Sequence, residues 1–130
     1  MAWKYTVGRN WRTAWASPTG LSQKGKDVKI YVAGPYTRGD VAKNVKEAIE
    51  VGDVLAKLGH FVFIPHLSHF WHLLTPHEYD FWMKQDMAWL EICDAVFRFE
   101  GESKGADIEV DYAVRNKKPV YYKLDDVPFV

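Results

Sequence analysis

Val28-Lys29-Ile30-Tyr31-Val32-Ala33-Gly34-Pro35 sets a short β-rich run directly against a Gly-Pro turn signal, the pattern of a strand that ends abruptly. Downstream the apolar period changes to that of a helix. Asp40 stands where an N-cap belongs, Val41, Val45, Ala48, Gly52 and Leu55 share one stripe, and Gly59 supplies a stop. Phe61-Val62-Phe63-Ile64, ended by Pro65, is the continuous apolar run expected of a strand buried on both faces. Thr75-Pro76-His77-Glu78 then predicts a helix opened by a capping hydroxyl and running to about Ile92. Ala95 to Phe99 reads as a third strand, Ser103 to Asn116 as a third helix and Val120-Tyr121-Tyr122 as a fourth strand. Strands alternating with helices predict an α/β fold with right-handed crossovers. The expected architecture is a Rossmann-like or flavodoxin-like three-layer sandwich around a parallel sheet of about four to five strands. Ligands of such sheets bind beyond the carboxyl ends of the strands, here Gly34 to Gly39, Pro65 to His72 and Glu100 to Gly105.

The chain of 130 residues is 48% hydrophobic, 15% aromatic and 26% charged, which predicts one soluble globular domain. One cysteine, Cys93, leaves no internal disulfide and fits a reducing compartment. No apolar run suits a membrane span and no h-region suits a signal peptide, so a cytoplasmic protein without a membrane partner is expected. The formal net charge of zero hides two unlike parts. Residues 1–26 carry five basic residues and no acid, whereas residues 27–130 carry twelve basic against seventeen acidic residues, a net of −5. Residues 1–27, with Trp3, Tyr5, Trp11 and Trp15 in no clear period, predict an irregular basic aromatic arm ahead of a domain over residues 28–130. The balanced total argues against nucleic acid as a partner.

Two acids fall on apolar stripes. Glu109 lies within the stripe Ala106, Val110, Ala113 and Val114, while Asp107, Asp111 and Arg115 form an ordinary solvated face. Asp86 lies four residues after Trp82, three after Met83 and four before Leu90. A carboxylate turned inward must be paired, hydrogen-bonded or neutral. Either acid alone fits a structural hydrogen-bond network; two on consecutive helices of one sheet favour chemistry, and paired carboxylates in unequal surroundings are the apparatus for cleaving a glycosidic bond. The helix carrying Glu109 opens at Ser103, a candidate N-cap, with Gly105 permitting close backbone approach. Six residues separate Ser103 from Glu109, about 9 Å along a helix axis at roughly 1.5 Å per residue. That span suits a sugar whose 5′-phosphate meets the helix start while its anomeric carbon reaches the glutamate.

Residues 29–122 resemble the nucleoside 2-deoxyribosyltransferase superfamily, and within it the branch of 2′-deoxynucleoside 5′-phosphate N-hydrolases. The resemblance rests on Ile30-Tyr31-Val32-Ala33-Gly34, on Asp86-Met87-Ala88-Trp89-Leu90 before Cys93-Asp94-Ala95-Val96, and on Ser103-Lys104-Gly105 with Glu109 beyond. It implies cleavage of the N-glycosidic bond of a (deoxy)nucleoside 5′-monophosphate, releasing or exchanging the base. Glu109 would then be the nucleophile that forms a glycosyl-enzyme, Asp86 the acid or base serving the departing base, and Tyr31 the hydroxyl beside the nucleophile. Gly34, Tyr36, Arg38, His66, Ser103 and Gly105 are the implied substrate-binding residues, Ser103 and Gly105 on the phosphate. The resemblance also implies a homo-oligomer, with Lys123 to Val130 as candidates to complete a neighbouring pocket.

No cofactor is expected. His66, His69 and His72 recur at spacings of three, but no carboxylate or cysteine is placed to complete a metal site. The stretch reads instead as a wall for the nucleobase built from His66 or His69 with Phe70 and Trp71. Three alternatives remain open at this level: a transferase acting on free nucleosides, a nucleotide-sensing module that turns nothing over, and single-stranded nucleic-acid binding through the basic arm.

Overall fold

The computed structural model describes residues 26–130, so the arm expected over residues 1–27 lies, but for its last two residues, outside the described residues. The elements are β1 (Lys29–Ala33), α1 (Val41–Lys57), β2 (Phe61–Phe63), a 3-10 turn (Pro65–Ser68), α2 (His69–Leu74), α3 (Tyr79–Ile92), β3 (Ala95–Arg98), α4 (Lys104–Arg115), β4 (Val120–Tyr121) and a 3-10 turn (Leu124–Asp126). All strand pairs are parallel and the sheet order is β2-β1-β3-β4. From β1 the chain runs outward to β2, then crosses back past β1 to β3. The direction of winding therefore reverses between β1 and β3, and a crevice opens at their carboxyl ends.

Strand alternation divides the core into two layers. Ile30, Val32, Phe97 and Phe99 meet Ala48, Val51 and Leu55 of α1 on one face. Tyr31, Ala33 and Val96 meet Leu90, Cys93, Ala106 and Ala113 on the other, the side of α3 and α4. Tyr31 thus turns toward the helices that bear both anomalous acids.

Helix α1 forms as its sequence predicts. Asp40 Oδ1 accepts from the Lys43 N–H at 3.2 Å. At the other end Gly59 takes φ +101°, and the N–H groups of Gly59 and His60 donate to the carbonyls of Ala56 and Leu55, a Schellman closure that glycine makes without strain.

Two expectations change. β2 is an edge strand paired only with β1, so Phe61 is 65% exposed and the apolar run is not buried on both faces. The helix expected from Pro76 begins instead at Tyr79, after Glu78, which makes no side-chain cap. Thr75 is spent on the preceding helix: its hydroxyl donates to the Trp71 carbonyl at 3.2 Å and closes α2, and the following proline holds it out of the helical region.

Candidate active site

A cleft of about 730 Å³ lies at the crevice between the carboxyl ends of β1 and β3. Gly34, Tyr36, Arg38, His66, Asp86, Ser103, Gly105 and Glu109 all line it. Tyr31 does not, because it is wholly buried behind Glu109. Gly34 is required by packing as well as position: a Cβ there would collide with the ring of Phe99 at the end of β3.

Glu109 is 6% exposed and accepts a hydrogen bond from the Tyr31 hydroxyl. Burial is the main cause that lifts its carboxyl from 4.5 to about 8; the Tyr31 hydrogen bond opposes this, the Asp86 charge adds to it, and Arg98 opposes it. Burial likewise raises Asp86 from 3.8 to about 6. Tyr31 is pushed well above its ordinary value, first by burial and then by the charges of Glu109 and Asp86, so it stays a neutral donor. Two desolvated carboxyls that sense each other beside one tyrosine can share a proton near neutral pH.

The start of α4 also lines the cleft. Ser103 Oγ accepts from the Ala106 N–H at 3.1 Å, leaving its own proton available to a ligand. A Cβ on Gly105 would meet nothing nearer than the Tyr79 hydroxyl at 3.7 Å, so the glycine leaves open space over the first turn. Arg38 reaches across the mouth to Glu102, with Nη2 to Oε2 at 2.8 Å, and both side chains are largely exposed.

The third wall is aromatic, and here the structure departs from the expected residues. Phe70 and Trp71 are 69% and 47% exposed and neither lines the cleft; His69 sits behind Tyr36, with Nδ1 2.6 Å from the Tyr36 hydroxyl. α2 turns them outward. The wall consists of His66 with His72, His77, Tyr79 and Trp82. His66 is 5% exposed, and burial lowers its pKa against the pull of the Pro35 and Gly34 carbonyls, so it is neutral. Nε2 donates to those carbonyls, at 2.9 Å to Pro35, and Nδ1 is an acceptor with no partner among the described residues. His72 has the opposite tautomer: Nδ1 accepts from Trp82 Nε1 at 2.9 Å and from the His77 N–H at 3.3 Å, so Nε2 carries the proton. The sequence offered no signal for His77 in the wall, and the helical period assigned Trp82 only to a core stripe. Among the described residues no group of three or more His, Cys, Asp or Glu is arranged to hold a metal ion, and no helix is long and apolar enough to cross a membrane.

A flavodoxin-like parallel sheet with a cleft at its switch point is the architecture of an α/β enzyme. The chain belongs to the family described as "Domain of unknown function (DUF4406)", whose model matches residues 28–122. It is similar to a solved structure of a 2-deoxyribosyltransferase from the psychrotolerant bacterium Bacillus psychrosaccharolyticus, described as a biocatalyst for synthesis of antiviral and antitumoral nucleosides. The two share 25% identity over 71% of this chain and 69% of that one, with a TM-score of 0.55. This likeness supports the superfamily to which the residues pointed. No curated protein matches the sequence.

Proposed function

We propose that residues 28–130 form an N-glycosidase that cleaves a (deoxy)nucleoside 5′-monophosphate by a retaining, two-step route. The observation that carries this reading is that one cleft is lined by Glu109 and Asp86 together with Ser103, Gly105 and Arg38. In the first step a Glu109 carboxylate oxygen bonds to C1′ as the C1′–N bond breaks. The bonding pair leaves with the base, which takes the proton of Asp86. In the second step water attacks C1′ and gives its proton to Asp86. The ester bond to Glu109 breaks and both groups return to their starting state. A base in place of water makes the same chemistry an exchange.

In the free site Glu109 holds its proton more tightly than Asp86, at about 8 against about 6. The pair therefore carries one proton between these values, and the reactive arrangement has it on Asp86. Tyr31 favours that arrangement, since its hydroxyl donates to Glu109 and stabilises the ionised form. The aromatic wall suits a planar base. The Arg38–Glu102 pair is solvent-exposed, a kind worth about 0–1 kcal/mol, so a phosphate able to engage Arg38 bidentately can displace it. Paired as it is, Arg38 also suits an uncharged 5′-hydroxyl, which favours free nucleosides as the second reading.

Incubation with a panel of nucleoside monophosphates and nucleosides, followed by chromatography for free base, tests both readings. Release from monophosphates that vanishes in Glu109→Ala supports the first; release from nucleosides alone supports the second. Ligand binding without release from either would leave a sensing module, and a competing base separates exchange from hydrolysis. We also propose a cytoplasmic homo-oligomer, to be checked by size-exclusion with light scattering. In the single chain the segment after Lys123 docks on its own body, with the Val130 N–H donating to the Leu58 carbonyl at 2.9 Å.

A further inference from the structure

Trp82 is the largest ring lining the cleft, and four other rings touch it. Trp71 and Phe81 lie at 5.0 Å between ring centres, His72 at 5.6 Å and His77 at 5.7 Å, with the planes crossed by 76° to 88°. None of them is parallel to the indole. Nearby rings are arranged otherwise: His77 is stacked on Phe81 at 3.8 Å and 16°, and Trp89 on Phe63 at 5.1 Å and 16°. Trp82 is therefore a half-buried indole of the cleft wall on which no protein ring is stacked among the described residues.

One imidazole fixes its orientation. His72 Nδ1 accepts from Trp82 Nε1–H at 2.9 Å and from the His77 N–H at 3.3 Å. The first bond holds the plane of the indole; the second ties down the segment between α2 and α3, in which Pro76 has no N–H to offer. His72 itself lines the cleft. A ring held in place before a ligand arrives spares that ligand the cost of ordering it, and aromatic faces take planar rings in offset stacks.

We propose that Trp82 is the stacking platform for the base of the nucleotide, and that His72 is the positioning residue that holds it there. His72 acts through Trp82. The assignment to a nucleobase rests on the proposed function, but the clamp between the two side chains is readable without ligand.

Two arms test this. In the free protein the indole ¹H–¹⁵N signal of Trp82, assigned with Trp82→Leu, reports the clamp. His72→Leu removes the acceptor and should shift that signal upfield and speed its exchange with solvent. His72→Asn sets Oδ1 close to the place of Nδ1 and should restore the signal. In the second arm calorimetry compares deoxyadenosine and deoxycytidine 5′-monophosphates with 2-deoxyribose 5-phosphate, which has no base, in a Glu109→Gln background that prevents turnover. Stacking of a base on an aromatic ring corresponds to about 5- to 150-fold in affinity. Trp82→Leu should weaken at least one nucleotide by a factor in that range and leave the sugar phosphate unchanged. His72→Leu should weaken the same nucleotide by about 2- to 12-fold, the worth of one hydrogen bond, and His72→Asn should recover most of that loss. A brace that only supports the connection between α2 and α3 would weaken nucleotide and sugar phosphate alike. That result overturns the proposal, as does an indole signal unmoved in His72→Leu, a His72→Asn no better than His72→Leu, parent-like nucleotide binding in Trp82→Leu, or nucleotides that bind no tighter than the sugar phosphate. Absence of base release from every nucleotide would remove the glycosidase reading alone, because the platform is read by binding.

Discussion

Replacing Glu109 with glutamine should abolish base release and stabilise the fold at alkaline pH. The side chain is 6% exposed, and its carboxyl is lifted from 4.5 to about 8, chiefly by burial. A carboxyl raised on folding binds its proton more tightly in the folded state. Its stabilising contribution is complete below about 4.5 and is lost as the pH climbs through about 8. At about 1.4 kcal/mol per pH unit the ceiling is about 5 kcal/mol. Relaxation and water entry around the ionised group bring the expected figure to about 2–3 kcal/mol, or about 10 °C in Tm for a chain of this size. Glutamine does not titrate and still offers an oxygen to the Tyr31 hydroxyl. Thermal and urea melts of parent and variant at pH 5 and pH 9 measure the difference. The two should nearly coincide at pH 5, where position 109 is neutral in both, and the variant should be the more stable at pH 9. If both lose the same stability between these pH values, Glu109 is not the desolvated acid described, and the sharing of one proton with Asp86 goes with it.

Tyr31→Phe removes the donor to ionised Glu109 and drives the shared proton onto it. A charge-assisted hydrogen bond worth about 1.5–3 kcal/mol corresponds to a roughly 10- to 100-fold loss of kcat/KM, with the basic limb of the pH profile displaced upward. In the parent, kcat/KM should trace a bell that rises through about pH 6 and falls through about pH 8. Below the first value both carboxyls are protonated and no nucleophile exists; above the second both are ionised and the base leaves without a proton. A flat rate from pH 5 to 9 contradicts this assignment. Ser103→Ala loses the cap on Ala106 and should cost about 1 kcal/mol in chemical denaturation. The same change should raise KM for a monophosphate more than for the matching nucleoside; equal effects would place the phosphate elsewhere.

The features legible in the sequence are those that break a local rule. Glu109 and Asp86 stand on apolar stripes where burial makes a carboxylate costly, so the helical period alone exposes them, and both line the cleft. Ser103 and Asp40 were legible because capping is local: each side chain accepts from an N–H three residues on. The edge position of β2 was not, because an apolar run of four residues has no period to report which neighbours cover it. That depends on the strand order β2-β1-β3-β4, a long-range property.

The aromatic wall was hidden for the complementary reason. Trp82 obeys the rule for a half-buried helical stripe, and its use emerges only where α3 meets the end of α2 and the indole donates to His72. Phe70 and Trp71 look, residue by residue, like better candidates, yet α2 directs them outward. Arg98 is the sharper case. In the sequence it is the one charged residue of the third-strand run Ala95 to Phe99, a point near the end of that run. In the fold that point lies under α4, and the guanidinium is caught against two carbonyls and a weak counter-ion. A functional residue that conforms to its local pattern acquires its chemistry from partners distant in sequence. The inward-facing acids could thus be found by period alone, whereas the burial of Arg98 required the packing of β3 against α4.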